Sequence, residues 1–199
     1  MKILIFSDLH AFDESNIDDL NVECDLIVFL GDIKASSIRT IIRHFGNKKY
    51  YGILGNHDDH NLFDSLNKIN QLYRIPTVEN IHLKLIENDI CSFTGLEGSE
   101  LYGNHPGFTQ EEALKLNIPK ADIFFSHETG YHYIEEDVND PIHQGFKAIS
   151  KYIEGQKPKY HFFGHHHINC EFKIGETYCY GIYGCSLFDT DVKKTRNIF

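Results

Sequence analysis

Five short apolar runs in this chain each stop abruptly at Asp, Asn or His. Ile3-Leu4-Ile5-Phe6 ends in Ser7-Asp8-Leu9-His10, and Leu26-Ile27-Val28-Phe29-Leu30 ends in Gly31-Asp32. Lys49-Tyr50-Tyr51-Gly52-Ile53-Leu54 runs into Gly55-Asn56-His57-Asp58. Ile123-Phe124-Phe125-Ser126 meets His127, and Tyr160-His161-Phe162-Phe163 meets Gly164-His165-His166-His167. Runs of this length bounded by glycine or polar residues read as buried strands. Each strand then delivers a polar loop to a common place, and Asp, Asn and His are the donor types of a dinuclear metal site.

Between the first runs the pattern changes period. Ser36 or Ser37 can cap a helix carrying Ile38, Ile41, Ile42 and Phe45 on one face, with Gly46 as its stop. Leu62, Leu66 and Ile69 mark a second helix within 61–70. Strand and helix alternating in this way predict a parallel or mixed sheet covered by helices. The middle of the chain differs. Residues 81–87 alternate and, through Asn88-Asp89, predict a hairpin with 90–94. A long loop spans 95–107, and Thr109 with Glu112 predicts a capping box for a short helix. A further helix is expected over 143–154, strands over 121–126, 159–163, 170–174, 177–180 and 182–185, and a weakly patterned basic tail from Thr190. The residues therefore predict one α/β domain, 1–199, of two packed mixed sheets with helices outside.

Composition narrows the function. A net charge of -10 argues against a broad nucleic-acid or anionic-membrane surface, though not against a local cationic site. Five cysteines without a Cys-x-x-Cys read as buried free thiols in a reducing cytoplasm; Cys185, in a Gly-rich stretch, could lie near the site. No stretch has the length of a signal peptide core or a membrane span, so a cytoplasmic location is expected.

The spacing of the polar residues carries chemistry. Asp8 and His10 lie two apart, as do His165 and His167, so each pair can face one cation if the chain stays extended. Asp32 offers a carboxylate able to bridge two cations, and Asn56 a neutral oxygen. A carboxylate, amide and imidazole set without thiolate favours Mn, with Fe, Zn or Ni as alternatives, over Mg alone. Two divalent ions would leave such a site net positive and attractive to a phosphate ester.

Asp8-x-His10, Gly31-Asp32, Gly55-Asn56-His57-Asp58, His127 and Gly164-His165-x-His167, in this order and spacing, resemble the motif set of the calcineurin-like metallophosphoesterases. That resemblance implies a four-layer α-β-β-α sandwich of two mixed sheets flanked by helices. It implies one metal on Asp8, His10, Asp32 and His167, and a second on Asp32, Asn56, His127 and His165. His57 would be the general acid, and Asp58 would complete the catalytic loop by fixing His57 or its neighbours. The implied activity is phosphodiester hydrolysis by a hydroxide held between two divalent metal ions, on a small phosphate-ester substrate such as a nucleotide. Phosphomonoester or pyrophosphate hydrolysis on the same site, or a non-catalytic metal-binding scaffold for a protein partner, are the alternatives. Leu54 stands where the Ser/Thr protein phosphatases carry Arg, and Ala35 where many members carry a second acid, which points away from a protein phosphatase.

The remaining histidines divide by place. His44, His82 and His161 read as structural, and His166 as a rim residue. His105 and His132 lie in the long loops at 96–107 and 128–142, which are the expected specificity walls. His143 is a helix cap or a rim residue, within an Asp140-x-x-His143-x-Gly145-Phe146 pattern similar to small, little-characterised members of the superfamily. Glu135-Glu136-Asp137 reads as a solvated face.

Overall fold

The computed structural model describes residues 1–12, 15–101, 105–134 and 143–199. The first half alternates strand and helix: β1 (Lys2–Ser7), α1 (Ser15–Asp18), β2 (Leu26–Phe29), α2 (Ala35–Phe45), β3 (Lys49–Gly52), α3 (Leu62–Leu72) and β4 (Val78–Asn80). Then come β5 (Ile86–Glu87), β6 (Ser92–Leu96), β7 (Ser99–Glu100), β8 (Gly107–Phe108), α4 (Gln110–Lys115) and β9 (Ile123–Ser126). The chain closes with α5 (Lys147–Gln156), β10 (Tyr160–Phe163), β11 (Cys170–Ile174), β12 (Thr177–Gly181), β13 (Gly184–Asp189) and β14 (Lys194–Asn197). Among the described residues no helix is long and apolar enough to cross a membrane.

Two six-stranded mixed sheets carry the fold, in the orders β14-β13-β1-β2-β3-β4 and β11-β12-β10-β9-β6-β5. Side chains alternate across each strand, so every run that is apolar throughout serves two layers. In β1, Ile3 and Ile5 point between the sheets, where they meet Val28, Phe125 and Phe162. Leu4 and Phe6 point outward and are covered by Ile38, Ile41 and Ile42 of α2 and by Phe63 and Leu66 of α3. The second sheet repeats this, with Phe124 and Phe163 under Ala113 of α4 and Ile149 and Ile153 of α5. The result is the α-β-β-α sandwich expected from the sequence.

β1, β2 and β3 are parallel neighbours, so their C-terminal ends lie side by side. β9 and β10 are also parallel neighbours, pairing Phe163 with Ser126 at their ends. The sheet stacking brings these two sets of ends together, and that edge is where the polar loops meet.

Several boundaries differ from expectation. α2 starts at Ala35 with Lys34 at its N-cap and no side-chain cap, so neither Ser36 nor Ser37 caps it. The chain before it is already pinned, because Asp58 accepts the N–H groups of Asp32 and Ile33. The expected strand at 81–87 is interrupted at Leu83, whose φ is 53°; Ile86–Glu87 pairs with β6 as a strand, and His82 makes a separate parallel bridge to Gly95. α5 starts four residues late because Gly145 takes a φ of 81° and Phe146 bridges Gly130. The strand expected over 182–185 begins only at Gly184, where φ is 87°, and continues to Asp189. Inside the expected loop, β7 and β8 form a small parallel pair. The basic tail forms β14, an edge strand on β13 with Lys194 and Arg196 exposed. At the opposite edge, the Asn67 side chain accepts from Val78 N–H at 2.8 Å and donates to Val78 C=O at 2.7 Å. Asp140 and the 135–137 acidic run lie outside the described residues, as do parts of both loops expected to be specificity walls.

Phe125 sits between the sheets, fully buried, with ring centroids 5.9 Å from Phe93 and 5.5 Å from Phe162. Phe125→Ala is expected to destabilise the protein by ~3–5 kcal/mol through lost burial and a residual cavity. Urea unfolding monitored by circular dichroism checks this, and a loss below ~1 kcal/mol would mean that the inter-sheet layer is loosely packed.

Candidate metal centre

Asp8 stands one residue beyond β1 in left-handed backbone, φ 54°. Its N–H donates to Gly31 C=O at 3.1 Å, which ties the end of β1 to the turn after β2. Its Oδ2 accepts from Ser7 Oγ at 2.6 Å and from His165 N–H at 3.0 Å. Its Oδ1 is buried without a hydrogen-bond partner, 3.5 Å from His167 Nε2. Asp32 repeats this division: φ is 56°, Oδ1 accepts from His57 N–H at 2.8 Å, and Oδ2 is buried without a hydrogen bond. That Oδ2 lies 3.5 Å from His127 Nε2. His165 and His167 also have positive φ, 66° and 52°. Four of the polar residues delivered by the strand ends therefore sit in backbone that costs about 1–3 kcal/mol each for a non-glycine residue, a pattern that clusters at functional sites.

The glycines of the motifs are needed for close approach. A Cβ on Gly31, whose φ is 100°, would lie 2.2 Å from Gly55 N, and one on Gly55 would lie 2.1 Å from Asp32 Oδ1. On Gly164 it would meet Ser7 Oγ at 2.0 Å. Asp58 completes the clamp between the loops after β2 and β3. Its Oδ2 accepts from Gly55 N–H at 2.7 Å and Asp32 N–H at 2.9 Å, and its Oδ1 accepts from Ile33 N–H at 3.2 Å. Both oxygens of Asp58 are thus used on backbone, and the loop that carries Asn56 and His57 is held by it.

Ligand atoms converge in two overlapping groups. Asp8, His10 and His167 bring one ligand atom each within 4.8 Å of one another, and so do Asp8, Asp32 and His127. Asn56, buried, joins the second group through its Oδ1, 2.8 Å from His127 Nε2. His165 belongs to neither tight group, but its ring centroid lies 5.1 Å from that of His127. His57 is exposed on the open side, its ring 5.9 Å from those of His10 and His105. The two carboxylate oxygens without donors are the test of whether a cation fits. A buried acceptor left unmade costs about 1–3 kcal/mol, more when charged, and two of them facing imidazole nitrogens suit a divalent ion.

Other positions resolve differently. Cys185 pairs with Phe6 at the end of β1 and turns its side chain into the core under the first sheet. His166 is buried, not on a rim, because its Nε2 donates to Glu128 at 2.7 Å. Glu128 opens the polar stretch after β9, and its only signal in the sequence is adjacency to His127 at a strand end. His143 does not cap α5, whose N-cap is Phe146, and its ring lies 4.7 Å from that of His165. His132 stacks on Tyr131 at 3.8 Å. His44 and His82 bond main-chain groups, and His161 is sealed beside Ser126.

The model of the calcineurin-like phosphoesterase superfamily domain matches residues 1–180. A comparison of the sequence with curated proteins gives no match. Solved structures share the fold along nearly the whole chain. The phosphopantetheinyl hydrolase of Mycobacterium tuberculosis superposes with a TM-score of 0.61 at 11% identity, covering 92% of this chain and 89% of that one. An archaeal phosphodiesterase gives 0.57 at 16%, covering 98% of each chain. Vps29 of Entamoeba histolytica, complexed with zinc, gives 0.52 at 11%, covering 98% of this chain and 89% of that one. At such identities these likenesses show the fold alone.

The electrostatics among the site's own side chains follow from its burial. Burial opposes a charge on His127, but Asp32 beside it outweighs this and pushes the imidazole up to about 10. Asp32, opposed by burial and favoured by His127, is held well below the usual carboxylate range. His127 Nδ1 donates to Leu30 C=O at 2.8 Å, so the second proton sits on Nε2, where a cation would otherwise bind. Burial lowers His165 to about 4 and raises Asp58 to about 7. A histidine whose folded pKa is raised stabilises the fold below its unfolded pKa, near 6.5, and loses that contribution as pH rises through the folded value. In chelated protein, the stability advantage of wild type over Asp32→Asn is therefore expected to shrink between pH 6.5 and about 10. Urea midpoints at several pH values measure the gap, and a gap that widens over this range would contradict the ion pair.

Proposed function

Because the chain belongs to the calcineurin-like phosphoesterase superfamily, we propose that it is a hydrolase of small phosphodiesters that uses two divalent cations. The observation that carries the reading is the pair of buried, donorless oxygens, Asp8 Oδ1 and Asp32 Oδ2, facing His167 and His127. Asp8, His10, Asp32 and His167 would hold one cation; Asp32, Asn56, His127 and His165 would hold the other. When bound, such cations act as Lewis acids on phosphoryl oxygens and lower the pKa of water. Mn²⁺ suits the donor set best, with Fe, Zn or Ni next.

The chain's own residues supply the rest. Asp8 and Asp32 hold fixed negative charge where the cations bind, with their spacing set by the glycine contacts and by Asp58. His57 is anchored through its backbone N–H on Asp32 while its ring stays exposed, so it can hold a proton at an imidazole nitrogen and deliver it to the leaving oxygen. Among the described residues, the ion pairs at the site join only His with Asp or Glu. The reading takes a small phosphodiester as the substrate. The name of one fold neighbour, an archaeal phosphodiesterase, agrees with an ester of that kind. A nucleotide diester is one candidate substrate.

Chelated protein is expected to lose turnover of bis-nitrophenyl phosphate and to regain it with Mn²⁺, and with Fe, Zn or Ni to a lesser degree. By elemental analysis Asp32→Ala should lose both ions and Asp8→Ala mainly one. Asp8 belongs to both tight groups of ligand atoms, so the reverse pattern would move the bridge from Asp32 to Asp8. Full turnover without metal would overturn the proposal.

His57→Ala should keep both ions. It should lose ~10²–10⁴-fold on a diester with an alkyl or ribose leaving group, and clearly less on a nitrophenyl diester, whose leaving group needs no proton. Equal losses on the two substrates would make His57 a positioning or charge-stabilising group instead of an acid.

A further inference from the structure

Burial does not hold His167 in place. Its side chain is 45% exposed, whereas Asp8, Asp32 and His127 are buried. An open imidazole turns about two single bonds and spreads over several rotamers. Ordering such a group on binding costs affinity, and ordering it beforehand restores that affinity. Among the described residues, two rings lie against His167. His10, with its centroid 5.0 Å away, is itself exposed and assigned to the same cation. Tyr183 lies stacked on His167, with centroids 5.1 Å apart and planes 24° from parallel. That separation is within the range of favourable ring pairs.

Tyr183, unlike His10, is fixed by its own main chain. Its N–H donates to Asn169 Oδ1 at 3.0 Å, and its C=O accepts from Asn169 Nδ2 at 3.0 Å. The residue before it, Ile182, donates its N–H to Phe163 C=O at 2.8 Å, at the end of β10. Phe12 meets the Tyr183 ring edge-on, with centroids 4.9 Å apart. Asn169 stands two residues after His167. The loop after β10 therefore grips Tyr183 with one side chain and receives its ring with another.

We infer that Tyr183 is a positioning residue: clamped by Asn169 and stacked on His167, it keeps that imidazole ordered for the first cation. This rests on the reading of His167 as a ligand of that cation. The competing account is that Tyr183 only fills an aromatic cluster with Phe12 and Phe199, whose rings lie 5.4 Å apart.

Tyr183→Phe keeps the ring, and Tyr183→Leu keeps apolar bulk without it. In chelated protein, the His167 imidazole proton resonances, assigned by comparison with His167→Gln, should lie upfield of those of an exposed histidine. They should stay there in Tyr183→Phe and move back in Tyr183→Leu. Wild-type resonances at the exposed-histidine position would overturn the inference whether or not any variant folds. Titration of chelated protein with Mn²⁺ against a competing chelator is the second readout. Tyr183→Leu should weaken one of two binding steps by ~3–10-fold and leave the other unchanged, while Tyr183→Phe binds as wild type does. Asn169→Ala, at an exposed position, should weaken the same step. Equal weakening of both steps, or Tyr183→Phe as weak as Tyr183→Leu, would overturn the inference. Two ions bound by every variant as tightly as by wild type would make Tyr183 a packing residue only. Wild type that binds no cation would overturn the metal-centre reading, and this inference with it.

Discussion

Two carboxylates that cannot both be satisfied by protein govern this structure. Asp8 and Asp32 stand just past the ends of neighbouring parallel strands, each with one oxygen tied to backbone N–H and the other buried and bare. Bringing two like charges to one buried place is unfavourable unless cationic groups compensate. Among the protein's own groups, protonated His127 does part of this. The close backbone contacts at Gly31, Gly55 and Gly164 keep the arrangement from relaxing, since each leaves no room for a side chain. Asp58, bonded to both loops, fixes the distance between the two strand ends.

The site is assembled across the sandwich, not within one sheet. His127, from the second sheet, bonds Leu30 C=O of the first, and His165 N–H bonds Asp8. These bonds are possible only because the apolar faces of the two sheets pack at a fixed separation around Ile5, Val28, Phe125 and Phe162. Packing and chemistry are therefore coupled: the same strands alternate between filling the inter-sheet layer and delivering polar ends.

The fold was legible in the sequence where side chains carry a period. The all-apolar runs, the Ile38-Ile41-Ile42 stripe and the Thr109-Glu112 capping box each state their element locally, and the observed elements follow them. The converging residues were legible because each follows an apolar run, although which atom meets which cation is a matter of three-dimensional geometry. Other features had no such signal. β14 exists through main-chain pairing to β13, which any exposed polar sequence can make. The strand expected over 81–87 had the right alternation but broke at Leu83, whose left-handed backbone no pattern announces. Glu128 and His166 recognise each other across 38 positions, so neither looks buried from its neighbours.

The margins of the first sheet have a consequence for how the molecule meets its own kind. An open strand edge is a template on which another chain can lay a strand. At β4 the Asn67 side chain occupies both polar groups of Val78, leaving a three-residue strand with little to offer. At β14 the exposed Lys194 and Arg196 put like charges where an identical strand would have to dock. The basic tail, featureless as sequence, thus works as a guard against sheet-to-sheet aggregation in a protein whose remaining surface is acidic.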